Sequence, residues 1–183
     1  MATVLLLATD AGRPVYERLG FRTGERYAAF PWPKSGDVAQ DGLRARRMVA
    51  SDLSAVCALD RAATGEDRAR FIEALAPAGW VIARSDGAAA PDVAGFHLEC
   101  PWGGGPIIAT DAAVGLALVR LAAGLQSTPP LRPLGVPDGN AAAFRYLSDA
   151  GLSAGRYVTR MWLGRSPAWR PEMIFGVFNF AVG

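Results

Sequence analysis

Apolar and polar positions along residues 43–165 switch repeatedly between a period of two and a period near 3.6, and the switch points mark the elements. Leu43 to Met48 reads as a strand. Behind it, Ser51 or Asp52 can cap a helix that carries Leu53, Val56, Cys57 and Leu59 on one side. Thr64 and Asp67 have capping-box spacing and open a second helix with Phe71, Ile72 and Leu75 inward. Gly79–Ala83 and Val93–Glu99 are strands, with a turn beginning at Ser85-Asp86-Gly87 between them. Gly103-Gly104-Gly105-Pro106 then breaks the chain before a short strand, Ile107–Ala109. Val114, Leu118, Leu121, Ala122 and Leu125 place a helix over 111–125. A strand Leu131–Val136, a helix Ala141–Ala150 and a strand Arg156–Leu163 follow. Pro167 and Pro171 interrupt the pattern, and Met173–Val182 is an apolar segment suited to a last strand or a partner-covering arm. The order β-α-α-β-β-β-α-β-α-β, with a terminal β, predicts an α/β (α+β) domain: a mixed sheet flanked by helices on both faces.

Part of this pattern occurs twice. Leu5-Leu6-Leu7-Ala8-Thr9-Asp10-Ala11-Gly12 leads through Tyr16 to Gly20-Phe21 and on to Arg26-Tyr27. Leu134-Gly135-Val136-Pro137-Asp138-Gly139-Asn140 leads through Tyr146 to Gly151-Leu152 and on to Arg156-Tyr157. Each copy is a strand, an Asp/Gly turn, an amphipathic helix, a Gly with an apolar residue, and a second strand. The first copy has almost nothing before it, whereas the second closes a run of domain length. Internal repetition constrains architecture strongly. The division it predicts is a strand–helix–strand fragment over 1–30, a linker over 31–42 rich in turn formers, and a complete domain over 43–183 ending in an arm.

Composition narrows the function classes. Over 183 residues the apolar share is 51%, ample for a packed core, and the formal charge is only +2, too small to predict nucleic-acid binding. Lys34 is the only Lys, so the basic residues are almost all Arg. Cys57 and Cys100 lack metal-ligand spacing, and His97 is the only His, which argues against a metal centre. No run approaches the ~18 apolar residues of a membrane span, and Met1–Ala8 lacks the basic leader of a signal peptide. The expectation is a cytoplasmic protein without membrane, nucleic-acid or metal partners.

The element order, together with Pro14-Val15-Tyr16-Glu17-Arg18-Leu19-Gly20-Phe21, resembles the GNAT superfamily of acyl-CoA-dependent N-acetyltransferases, whose helix after the fifth strand often carries such text. The second copy matches with Asn140 at the family's usual Asn and Gly151-Leu152 in place of Gly-Phe. The resemblance covers 43–165 as a full domain and 3–30 as a terminal fragment, and is similar to tandem-GNAT proteins. It implies a splayed gap between the Ile107 and Leu131 strands that admits pantetheine, with acetyl-CoA as donor and a small-molecule or peptide amine as acceptor.

The same resemblance assigns residues. Backbone at Ile107 and Ile108 would pair with pantetheine, and Asn140 would bond a pantetheine amide, cap its helix, or both. The family's R/Q-x-x-G-x-G/A turn falls on Thr110–Gly115, with Thr110 at the basic position, Ala113 at the first glycine and Gly115 at the last. Glycines there let backbone N–H groups approach a pyrophosphate at a helix N-terminus. Asp111 opposes that role, because its carboxylate competes for the same N–H groups, so a phosphate cradle and a simple cap both remain open. Tyr16 stands at the position of the acid that protonates the leaving thiolate, and Tyr146 is one place out of register. Glu99 and His97 alternate on one strand, sharing a face as a base or as a solvent-facing pair. Two functions follow. One is an acetyl-CoA-dependent N-acetyltransferase or its C-terminal part; the other is a non-catalytic, degenerate GNAT-fold module for acceptor binding or dimerisation.

Overall fold

A computed structural model describes residues 3–34, 43–84, 92–126, 132–178 and 180. Strand β1 (Val4–Ala8), helix α1 (Arg13–Arg18) and strand β2 (Arg22–Phe30) form the first repeat. After it come β3 (Ala45–Arg47), α2 (Leu53–Thr64), α3 (Ala69–Leu75), β4 (Gly79–Ala83), β5 (Val93–Leu98) and β6 (Ile107–Ala109). Then follow α4 (Ala112–Leu125), β7 (Leu134–Pro137), α5 (Ala141–Asp149), β8 (Arg156–Leu163) and β9 (Ile174–Gly176). The predicted sequence of elements is therefore present, although most of 31–42 and the Ser85–Gly87 turn lie outside the described residues, as does Leu131. None of the described helices is long and apolar enough to cross a membrane.

The strands form two sheets, in the orders β3-β4-β5-β6-β9 and β1-β8-β2-β7, and every described pairing is antiparallel. Phe96 and Leu98 of β5 join a core with Val56 and Ile72 of α2 and α3. A side chain at Gly95, pointing the other way, would strike Val114 and Leu118 of α4. Alternation along one strand thus buries both faces, with helices on each.

In the second sheet the two repeats exchange strands. Within neither repeat do the two strands pair: β8 lies between β1 and β2, and β2 lies between β8 and β7. Exchanging each strand for its counterpart, β1 for β7 and β2 for β8, reproduces the same order read backwards. The sheet therefore has an internal pseudo-two-fold axis near the Tyr27–Val158 pair. The helices end alike: Gly20 and Gly151 take φ of 88° and 74°, a conformation only glycine adopts freely. Phe21 N–H bonds Tyr16 O, and Leu152 N–H bonds Leu147 O, each at 3.0 Å. These bonds make Leu147, not Tyr146, the structural counterpart of Tyr16.

Two local expectations are corrected. Asp52 does not cap α2; it accepts from Val49 N–H (2.9 Å) and pairs with Nη1 and Nη2 of Arg46. Thr64 does not open the second helix but ends the first, donating to Asp60 O at 2.9 Å before Gly65 turns left-handed. Helix α3 begins only at Ala69, because a glycine with positive φ terminates α2 more firmly than capping-box spacing can start α3.

Candidate functional site

Strands β6 and β7 do not pair with each other, so a gap opens where the sequence predicts one. It is filled by the chain itself. Strand β9 lies in it, pairing Ile107 with Gly176 and Ile108 with Ile174 on one side. On the other side, Val177 N–H donates to Gly135 O at 3.2 Å. Because β9 intervenes, no parallel β6–β7 contact forms, which is why the expected mixed sheet appears as two antiparallel ones.

Four of the six predicted cofactor residues meet at this arm. Ile107 and Ile108 supply the paired backbone. Gly115 lies flat against the buried ring of Phe175, and a Cβ there would come within 2.3 Å of Cε2. Asn140 uses Oδ1 to cap α5 at Ala143 N–H (3.0 Å), and its Nδ2 donates to Ile174 O (2.9 Å) and Glu172 O (3.4 Å). Gly135 allows the arm its approach, since a Cβ would fall 2.6 Å from Val177 Cγ2. The backbone and amide groups suited to pantetheine are thus spent on an internal strand, and in this conformation the gap does not fit acetyl-CoA.

The other two residues stand at the start of α4. Thr110 N–H bonds Ala94 O at 2.8 Å, and Ala113 is exposed. Between them Asp111 Oδ1 accepts from Val114 N–H at 3.1 Å, while Oδ2 accepts from Arg84 Nη2 and from Thr110 Oγ1. A carboxylate therefore holds the helix N-terminus that a phosphate would need. Asn caps as well as Asp, and the Arg84 pair is exposed, so Asp111→Asn is expected to change stability by no more than about 0.5 kcal/mol. Acetyl-CoA affinity should stay within about twofold, a difference of ~0.4 kcal/mol. Thermal unfolding and calorimetric titration check both; a tenfold tightening would restore the phosphate cradle.

The predicted catalytic residues lie on separate elements, and no described hydrogen bond joins them. Tyr16 on α1 is half-buried, its ring edge-on to Phe21 at 5.6 Å. Tyr146 is half-buried on α5. Glu99, just beyond β5, accepts from Arg47 (2.7 Å) and Trp80 Nε1 (2.9 Å), with Arg47 stacked on Trp80. His97 is fully buried; its Nδ1 donates to Pro106 O at 3.2 Å, and burial lowers its pKa to about 4. A neutral, enclosed imidazole of this kind supports packing.

Sequence reasoning missed a buried polar group beneath β2 and β8. Asp60 on α2 accepts from Arg68 Nη2 and Nε, at 2.6 and 3.0 Å, with the two side chains 1% and 9% exposed. Arg160 is buried against Trp169, and Tyr27 packs edge-on to the same indole. Desolvation raises the Tyr27 pKa strongly. The sequence signals were Tyr27 and Arg160 at inward strand positions and Asp60 one turn after Val56 on the apolar face of α2. Among the described residues no cluster of three His, Cys, Asp or Glu could hold a metal.

Three solved structures share this fold. A putative acetyltransferase from Pyrococcus horikoshii matches with a TM-score of 0.76 at 21% identity, over 99% of this chain and 60% of that one. A Drosophila protein matches at 0.64 and 14% identity, over 88% and 61% respectively. A GCN5-related N-acetyltransferase from Sphaerobacter thermophilus matches at 0.54 and 16%, over 94% and 62%. The chain thus spans about three fifths of the length of each. No curated protein sequence matches it. The family model described as an acetyltransferase (GNAT) domain matches residues 56–176, from the first turn of α2 through β9. With that model covering more than half of its length, the chain belongs to the GNAT acetyltransferase domain family.

Proposed function

We propose that the chain serves an acetyl-CoA-dependent N-acetyltransferase as its C-terminal, acceptor-side part, and that its own complete domain does not hold the acyl donor. Acyl transfer is the family's chemistry; the division of labour is our reading. The observation that carries it is the arm: β9 takes the strand pairing, and Asn140 and Gly115 are engaged by Ile174 and Phe175. The first repeat supports the other half of the reading. Its counterpart elements β7 and α5 are covered by β9 and α4, whereas β1 pairs only with β8 among the described residues. Helix α1 has no fully buried side chain, and Val15 and Leu19 are 48% and 64% exposed. Such a face fits a second lobe that would complete the first repeat, with Tyr16 as its acid.

Calorimetric titration tests the proposal. The chain alone should bind acetyl-CoA with a Kd weaker than about 1 mM, the upper end of ordinary substrate affinities. Tight, stoichiometric binding would overturn it. The competing reading is a transferase whose arm withdraws, and two variants discriminate. Asn140→Asp keeps the cap but sets an oxygen against Ile174 O, and Gly115→Ala pushes on Phe175 while favouring the helix. Acetyl-CoA binding that appears when either loosens the arm supports withdrawal; continued absence of binding supports the acceptor-side role.

A further inference from the structure

Beside the arm lies a cavity of about 320 Å³, within the size range of small-molecule sites. Trp32, Trp102 and Phe180 give its lining an aromatic character, and Arg132 and Arg156, both exposed, line it as well. A second hollow of about 570 Å³ shares Trp32, Arg132, Pro133 and Arg156, so both arginines belong to the two linings at once. No described residue lining either hollow is Asp or Glu. Neither arginine has a carboxylate within salt-bridge reach among the described residues. Trp32 Nε1 donates to the backbone carbonyl of Arg132 at 2.9 Å, and the Arg156 guanidinium lies 5.2 Å from the centre of the Phe180 ring.

A third arginine, Arg160, lies on the same face of β8 without lining the cavity. Residues 156, 158 and 160 share one face of β8, and Val158 lines the cavity, as does Leu7, the ladder partner of Arg160. Arg160 is 3% exposed, and its Nη2 has no hydrogen-bond partner. Tyr27, Glu66 and Glu25 act on it electrostatically, but among the described residues no carboxylate reaches ion-pair distance of it. Burying a guanidinium with an open donor is costly unless something accepts from it.

We propose that this cavity binds a small carboxylate with a flat apolar body. Guanidinium forks match a carboxylate, and indole and phenyl faces match a planar body. A simple cationic amine is repelled by the same arginines. Resting on the acceptor-side reading above, the corresponding acceptor is an amine that itself carries a carboxylate.

Three probes that differ only at the polar end test this by calorimetry on the full chain: phenylacetate, phenylacetamide and phenethylamine. Phenylacetate should bind saturably and at least tenfold more tightly than the other two. Arg132→Gln and Arg156→Gln, both at exposed positions, should each weaken it at least fivefold. Equal binding of the three probes, no phenylacetate binding, or indifference to both substitutions would overturn the proposal. A parallel acetyl-CoA titration separates the two ideas. If acetyl-CoA binds tightly, the acceptor-side reading falls and the carboxylate site stands on its own result. If neither acetyl-CoA nor phenylacetate binds, only the cavity proposal falls.

Discussion

Arg68→Met is expected to lower the unfolding free energy by about 3–5 kcal/mol, the cost of leaving a buried charge without its partner. The stranded group is Asp60, 1% exposed, which takes two hydrogen bonds from this one guanidinium. Arg68 also stacks on Phe178 at 4.8 Å, so its loss loosens the arm as well. A loss of that size is a large part of the ~5–15 kcal/mol that holds a domain together. The double variant Asp60→Leu/Arg68→Met should recover much of it, because two apolar groups of similar volume replace a desolvated pair at little net cost. Chemical denaturation of the three proteins gives the measurement. A single variant that loses less than about 1 kcal/mol would show that water reaches Asp60.

Stability should also fall by about 3 kcal/mol between pH 6.5 and pH 4, on account of His97. The folded protein holds its imidazole neutral, with a pKa of about 4 set by burial and only partly opposed by the Pro106 carbonyl and Glu99. The unfolded chain protonates near 6.5. Within that window the unfolded state binds the extra proton, so the His97 contribution is complete above pH 6.5. It is lost as pH falls through the folded pKa. Glu66, whose pKa burial raises, acts in the opposite sense, and Asp52, held down chiefly by Arg46, adds a loss only at lower pH. His97→Asn isolates the effect: its amide nitrogen can keep the Pro106 bond but cannot titrate. Denaturant midpoints measured across this range should flatten in that variant, whatever its absolute stability; an unchanged slope would assign the dependence to other groups.

Local physics accounts for what the sequence alone determined. Apolar periodicity placed most helices and strands. Ile107–Ala109 and Arg156–Leu163 were read to the residue, since glycine, proline or turn residues bound them. The repeat was equally plain, and its two Gly positions do adopt the same left-handed turn. Where two local signals competed, as at Thr64 and Gly65, the weaker one misled. Tertiary structure decided the pairing. Alternation says which face of a strand is apolar but not which strand lies beside it, because partners far apart in sequence are chosen by packing and loop closure. Hence the exchange of β2 and β8 was hidden in two passages that look self-contained. Hidden too was the destination of the arm: Met173–Val182 reads only as apolar. The gap between β6 and β7, the flat face of Gly115 and the free amide of Asn140 are what draw it in, and they exist together only once the chain has folded.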